Sequence, residues 1–193
     1  MDRIEKVEEL KERIVSAGTR YEVSKYLIGA ILLDEAQRFN SIDKLQDFLA
    51  RIVINYPNLI GSFFIYALEI IFLDKIEDQS FGLSQMNVGT LIALKGYLNF
   101  KLEGNNKIEL ISKCLEILLT ESLAPELVSA MIRKTIDHWN DQNIDIQNRT
   151  GICGTLYSIG IEGPKGIHNN PQPNKRGLKI KEMAEYLEKT KSI

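Results

Sequence analysis

Cysteine and histidine are both scarce in this chain. Two cysteines, Cys114 and Cys153, are too few for a disulfide scaffold and cannot hold zinc alone. The expectation is two reduced, buried thiols, with a single disulfide as the alternative. Two histidines, His138 and His168, lie far apart without paired ligand spacing, so neither a metal site nor a cofactor is expected. A surplus of one charge is missing as well: 24 Lys and Arg face 26 Asp and Glu, leaving a net charge of −2. Holding nucleic acid by phosphate neutralisation would need a basic excess, so no nucleic-acid partner is expected. There is no uninterrupted spanning segment. The most apolar run, Leu59 to Leu73, is broken by Ser62 and Glu69 and bounded by Asn58 and Asp74. A transmembrane helix needs about 20 apolar residues, and a mid-span glutamate is costly in hydrocarbon. The run reads as a buried helix whose Glu69 finds a partner or reaches the surface, and stable membrane insertion is not expected. The opening MDRIEKVEELKERIV alternates charged and apolar residues and has no h-region of a secretory signal. Synthesis in the cytoplasm is expected, with work on any outer structure requiring another delivery route.

What is present is an ordinary globular composition: 193 residues, 44% hydrophobic and 26% charged, enough for one domain with a core. The periodicity is helical almost throughout. Ile4, Val7, Leu10 and Ile14 form one stripe, with Asp2 as its N-cap. A second helix is predicted from Tyr21 to Phe39, turning Val23, Tyr26, Leu27, Ala30, Ile31 and Phe39 inward. Ser41 caps a third, with Leu45, Phe48, Leu49 and Ile52 inward and Pro57 as its stop. After the polar turn 77–80 comes a segment from Val88 to Leu98. Asn106 caps a helix holding Ile108, Ile111, Cys114, Leu115 and Leu118. Pro125, behind the entry Ser122-Leu123-Ala124, opens a helix with Leu127, Met131, Ile132 and Ile136. Two further helices hold Ile152 to Ile159 and Ile180 to Leu187. No segment shows strand alternation between hairpin turns, and there is no internal repeat. Gly160 to Gly177 is rich in Gly, Pro and Asn, and its length marks it as functional or disordered. The expected fold is all-α, a single domain over 1–193 with one long loop near the C-terminus.

Three segments could carry chemistry. In ILLDEAQRF, Glu35 has Ile31 and Leu32 one turn before it and Phe39 one turn after. A carboxyl held against apolar neighbours resists ionisation, as a general acid requires. The alternative is a solvated network with Asp34 and Arg38. In SFGLSQMNVGT, a flexible Gly82 stands beside Ser84, Gln85 and Asn87, neutral groups suited to sugar hydroxyls and N-acetyl groups. The alternative there is a turn between helices whose polar residues cap the second. In GTLYSIG, Tyr157 offers a ring for a saccharide face, or else core packing with its hydroxyl satisfied.

Taken in order, these segments resemble the lysozyme-like superfamily, in particular the lytic transglycosylases and goose-type lysozymes. In that family a helix glutamate is followed by a serine with a Gly-Leu-Met-Gln motif and later by Tyr-Asn-x-Gly. Here Glu35 is followed by Ser80 with Gly82-Leu83-Ser84-Gln85, then by Tyr157-Ser158-Ile159-Gly160. Serine replaces the family's Met at 84 and its Asn at 158. Fifty positions separate Glu35 from Gln85, longer than the compact family spacing and filled by the apolar helix. The resemblance implies a lysozyme-like domain with a helical insertion. It also implies a muramidase acting on peptidoglycan glycan strands, as hydrolase or as transglycosylase. Glu35 would be the general acid and then base; Ser80, Ser84, Gln85 and Tyr157 would contact substrate. Asn170 and Asn174, in the loop directly after Tyr157, would add amides to a sugar subsite. The family commonly works with one carboxylate, the substrate's own N-acetyl group or 6-hydroxyl serving as nucleophile. Asp34, adjacent to Glu35, points about a hundred degrees away, and Asp78 is the candidate for a second acid.

Two other readings stay open. A non-enzymatic helical interaction module would show an exposed apolar face around Phe63 to Phe72. A membrane-active helix from Leu59 to Leu73 would partition into detergent. The sequence does not fix an oligomeric state.

Overall fold

A computed structural model describes residues 3–56, 61–72 and 75–193, with side chains for 5–56, 63–71 and 75–193. The Asp2 cap, the inward Ile4, the Pro57 stop and the Asn58 and Asp74 bounds lie outside the described residues. The described residues are mostly helical. Its contacts divide it into two compact units, Met1–Gln37 with Pro125–Ile193, and Arg38–Ala124.

The first unit begins with α1 (Arg3–Glu9), α2 (Lys11–Tyr21) and α3 (Lys25–Arg38). The predicted first stripe is real but bent: Leu10 forms a turn between α1 and α2, and Val7, Leu10 and Ile14 are all buried. The second helix starts four residues later than the periodicity suggests. Tyr21 closes α2, and Glu22 at φ 54° reverses the chain before α3. α3 is buried over most of its surface, from Leu27 through Ala36. The unit resumes with α8 (Ala124–Asn140), α9 (Thr150–Ile159) and α10 (Lys175–Thr190). A short 3-10 turn, Glu121–Leu123, precedes α8, so Pro125 stands at its second position.

α9 and α10 pack closely because glycines line the crossing. A Cβ on Gly177 would collide with Thr155 Oγ1 and the Gly151 carbonyl, and one on Gly154 would lie 2.9 Å from Ile180 Cγ2. α10 starts earlier than the composition of 160–177 suggests. Asn174 accepts from Gly177 N at 2.8 Å and caps a helix that already contains Lys175, Arg176 and Gly177. An Asn cap outweighs the weak propensity of one glycine.

The second unit holds α4 (Ser41–Asn55), α5 (Gly61–Phe72), β1 (Ser80–Phe81), β2 (Met86–Asn87), α6 (Val88–Ala93) and α7 (Lys107–Leu119). α4 packs on α5 and α7. Its cap is Asn40 rather than Ser41: Asn40 Oδ1 accepts from Ile42 N, and Asp43 Oδ2 accepts from Asn40 N at 2.8 Å, a capping box. The larger correction is its orientation. Leu45 and Phe48, expected inward, are 47% and 60% exposed, whereas Gln46, Asp47, Ala50 and Val53 are buried. Two hydrogen bonds hold it that way. Gln46 Nε2 donates to Gln79 Oε1 at 3.0 Å, and Asp47 Oδ1 accepts from Gly82 N at 3.0 Å.

The turn region also contains a two-residue antiparallel ladder that strand alternation did not reveal, with Ser80 opposite Asn87 and Phe81 opposite Met86. Asn87 then caps α6 by accepting from Thr90 N at 2.6 Å. Asn106 caps α7 as expected. α6 stops at Ala93, short of the predicted Leu98. Glu69 finds a partner, accepting from Ile76 N at 3.2 Å. Among the described residues no helix is long and apolar enough to cross a membrane.

Candidate functional site

In the first unit, the acidic pair Asp34-Glu35 sits on the buried side of α3, 1% and 6% exposed. Two buried carboxyls side by side need cations, and α10 supplies them. Arg176 Nε donates to Asp34 Oδ2 at 2.7 Å, and its Nη2 lies 2.6 Å from Glu35 Oε1. That second contact is a close ion pair whose N–H is not aligned on the oxygen. Lys179 Nζ donates to Asp34 Oδ1 at 2.9 Å and to Gln37 Oε1 at 3.1 Å. Burial alone pushes the Asp34 carboxyl up, but the hydrogen bonds from Lys179 and Arg176, with their charges, bring it below its ordinary value. Asp34 is therefore the anchored member of the pair, and Arg176 is stretched across both carboxylates.

Glu35 thus stands in neither expected setting. It is buried, but its partner is a guanidinium from α10, and Arg38 is exposed. Tyr157 on α9 belongs to the same neighbourhood. Burial pushes its phenol well above its ordinary value, the Glu35 carboxylate raises it further, and the Arg176 guanidinium opposes them. The phenol therefore lies within the field of Glu35. Glu35 and Tyr157, two of the predicted site residues, lie within electrostatic reach of each other. The structure adds Arg176, Lys179 and Asp34, which sequence reasoning did not place in the site.

Asn170 and Asn174 border a cavity of about 300 Å³ in the same unit, floored by Trp139, Ile152 and Leu156. Its walls include neither Glu35 nor Tyr157. Asn170 is exposed, and its Oδ1 accepts from Gln172 Nε2 at 2.7 Å. Asn174 Oδ1 is committed to capping α10, and its backbone N donates to Thr155 Oγ1 at 3.0 Å. Trp139 is structural here, donating from Nε1 to the Ile161 carbonyl at 2.6 Å.

Ser80, Ser84 and Gln85 belong to the second unit and shape its hairpin. Ser80 pairs in the ladder, and Ser84 is fully buried. Gln85, at φ 48°, donates from Nε2 to the Gly82 carbonyl at 2.9 Å. Gly82 is fixed rather than flexible: at φ 71° a Cβ there would strike the Leu118 carbonyl. Asp78 is exposed in the preceding turn, its N–H bonded to the Lys75 carbonyl. Both cysteines are free and buried, which pushes the Cys114 thiol up to about 11 and the Cys153 thiol up to about 12. Such thiols are inert at neutral pH.

No family model, no curated protein and no solved structure matches the chain.

Proposed function

We propose that the protein is a peptidoglycan-cleaving muramidase in which Glu35 is the general acid and base. The observation that carries this reading is that Glu35 and Tyr157 lie within electrostatic reach of each other. They are the helix glutamate and the Tyr-x-x-Gly tyrosine of the motif pattern, and the Glu35 charge reaches the phenol across 122 positions of sequence. To protonate a glycosidic oxygen, Glu35 must release Arg176 and take up a proton. Asp34 retains Arg176 through Nε while Nη2 swings away, so the cation is stored beside the site rather than lost. Glu35 then protonates the leaving oxygen between N-acetylmuramic acid and N-acetylglucosamine and takes the proton back in the following step. The substrate's N-acetyl group or 6-hydroxyl supplies the nucleophile, or an activated water does. Exposed Asn170 offers an amide to the glycan.

A second reading has its own support. Phe63, Tyr66, Ile70 and Ile71 on α5 are each more than half exposed, the face an interaction module would present. One experiment separates the two. Purified peptidoglycan is incubated with the protein and the released muropeptides are resolved by mass. Muramidase action yields disaccharide peptides, and products lighter by one water identify the anhydro sugar of a transglycosylase. An undigested sacculus from every wall type tried would leave the interaction module as the better account.

A further inference from the structure

α4 leaves a stripe of large apolar side chains exposed although its inner side, Gln46, Asp47, Ala50 and Val53, is half polar. It buries Gln46 and Asp47 while Ile42, Leu45 and Phe48 are 62%, 47% and 60% exposed. Along it Ile42, Leu45, Leu49, Ile52 and Tyr56 recur at alternating steps of three and four. That is the spacing of a helix that buries a seam against another helix. On α5, packed against it, Phe63, Tyr66 and Ile70 are also more than half exposed. With aromatic side chains at about 150–250 Å² each and Ile and Leu somewhat smaller, the exposed fractions of these six residues leave roughly 600–700 Å² of apolar surface. A monomer's largest apolar patch is typically about 300–600 Å², whereas each partner of a standard interface contributes about 800 Å².

Charge selects the occupant. Apart from Asp47, which is buried on the Gly82 N–H, α4 carries Asp43, Lys44 and Arg51 and α5 carries only Glu69, so the two helices balance at zero. An anionic lipid surface or a nucleic acid finds no basic face to hold, while a second copy meets no repulsion. We infer that the α4–α5 face is the interface of a homodimer, formed by the same surface on both copies. Antiparallel pairing of the two α4 seams sets Ile42 of one copy against Ile52 of the other, and Leu45 against Leu49. The inference does not depend on Glu35 or on any catalytic activity.

Sedimentation equilibrium of the full chain over about 1–100 μM, a range in which such interfaces normally hold, should give twice the 22.0 kDa chain mass. Leu45→Glu and, separately, Phe63→Glu should each raise the dimer Kd by at least about tenfold with the wild-type circular dichroism retained. A monomer at every concentration overturns the inference, including one that instead floats with phosphatidylcholine or phosphatidylglycerol vesicles. So does a dimer whose Kd neither variant changes. Unfolding of both variants would make these side chains part of a core and would overturn it equally.

Discussion

Arg176 has the most to hold in the first unit, since one guanidinium, 18% exposed, serves two carboxyls that are almost sealed from water. Removing one partner of such a group leaves buried charge behind, at a cost of about 3 kcal/mol. Arg176→Met keeps most of the side-chain volume and should lower the unfolding free energy by about that amount in urea at pH 7. The loss should depend on pH in one direction. The folded Asp34 carboxyl sits below its unfolded value, so its stabilisation is present above about pH 4 and fades as pH falls through the lower folded value. Wild type and Arg176→Met should therefore converge in stability on acidification below about pH 4. Equal stability at pH 7, or a gap that widens in acid, would show that the cluster is not the electrostatic anchor described here.

At the scale of elements, the existence of most helices is legible from periodicity, whereas their ends shift by one to five residues between expectation and structure. Asn106 is readable as a cap from its own neighbours, whereas α4 is capped by Asn40, one position before the expected Ser41, and α10 by Asn174, ahead of the expected helix. Asn174 in particular looked like a loop amide free for a ligand, yet its oxygen holds Gly177 N. Asn174→Ala should cost about 1 kcal/mol of stability, whereas Asn170→Ala, at an exposed position, should stay within about 0.5 kcal/mol. Urea titrations of the two variants make the comparison directly. If the loop also contacts glycan, Asn170→Ala raises KM for peptidoglycan with stability intact; an unchanged KM makes it a connection. The facing of α4 was not legible from periodicity. A 3.6-residue pattern identifies an apolar stripe but not what covers it. Here the hydrogen bonds of Gln46 and Asp47 to the 79–82 segment decided which side turned inward.

At the scale of the whole molecule, helical class was written in the sequence from end to end, and the division into two units was not. The first unit is assembled from both ends of the chain, and its central contact joins residues 142 positions apart. No local pattern announces such a pairing, although two adjacent acids directly after the apolar run Leu27–Leu33 require cations from somewhere. Glu35 itself was legible as the carboxyl with apolar helical neighbours, and Tyr157 as the aromatic before a helix-ending glycine. Their shared setting with Arg176 emerges only in three dimensions. The account stands or falls on whether that glutamate carries the proton. Glu35→Gln preserves the shape and the neighbouring Asp34–Arg176 bond but cannot protonate a leaving oxygen. Measured as clearance of a peptidoglycan suspension, its rate should fall by about 10²–10⁴-fold, with the melting temperature shifted by a few degrees at most. Clearance by Glu35→Gln at the wild-type rate would contradict the account.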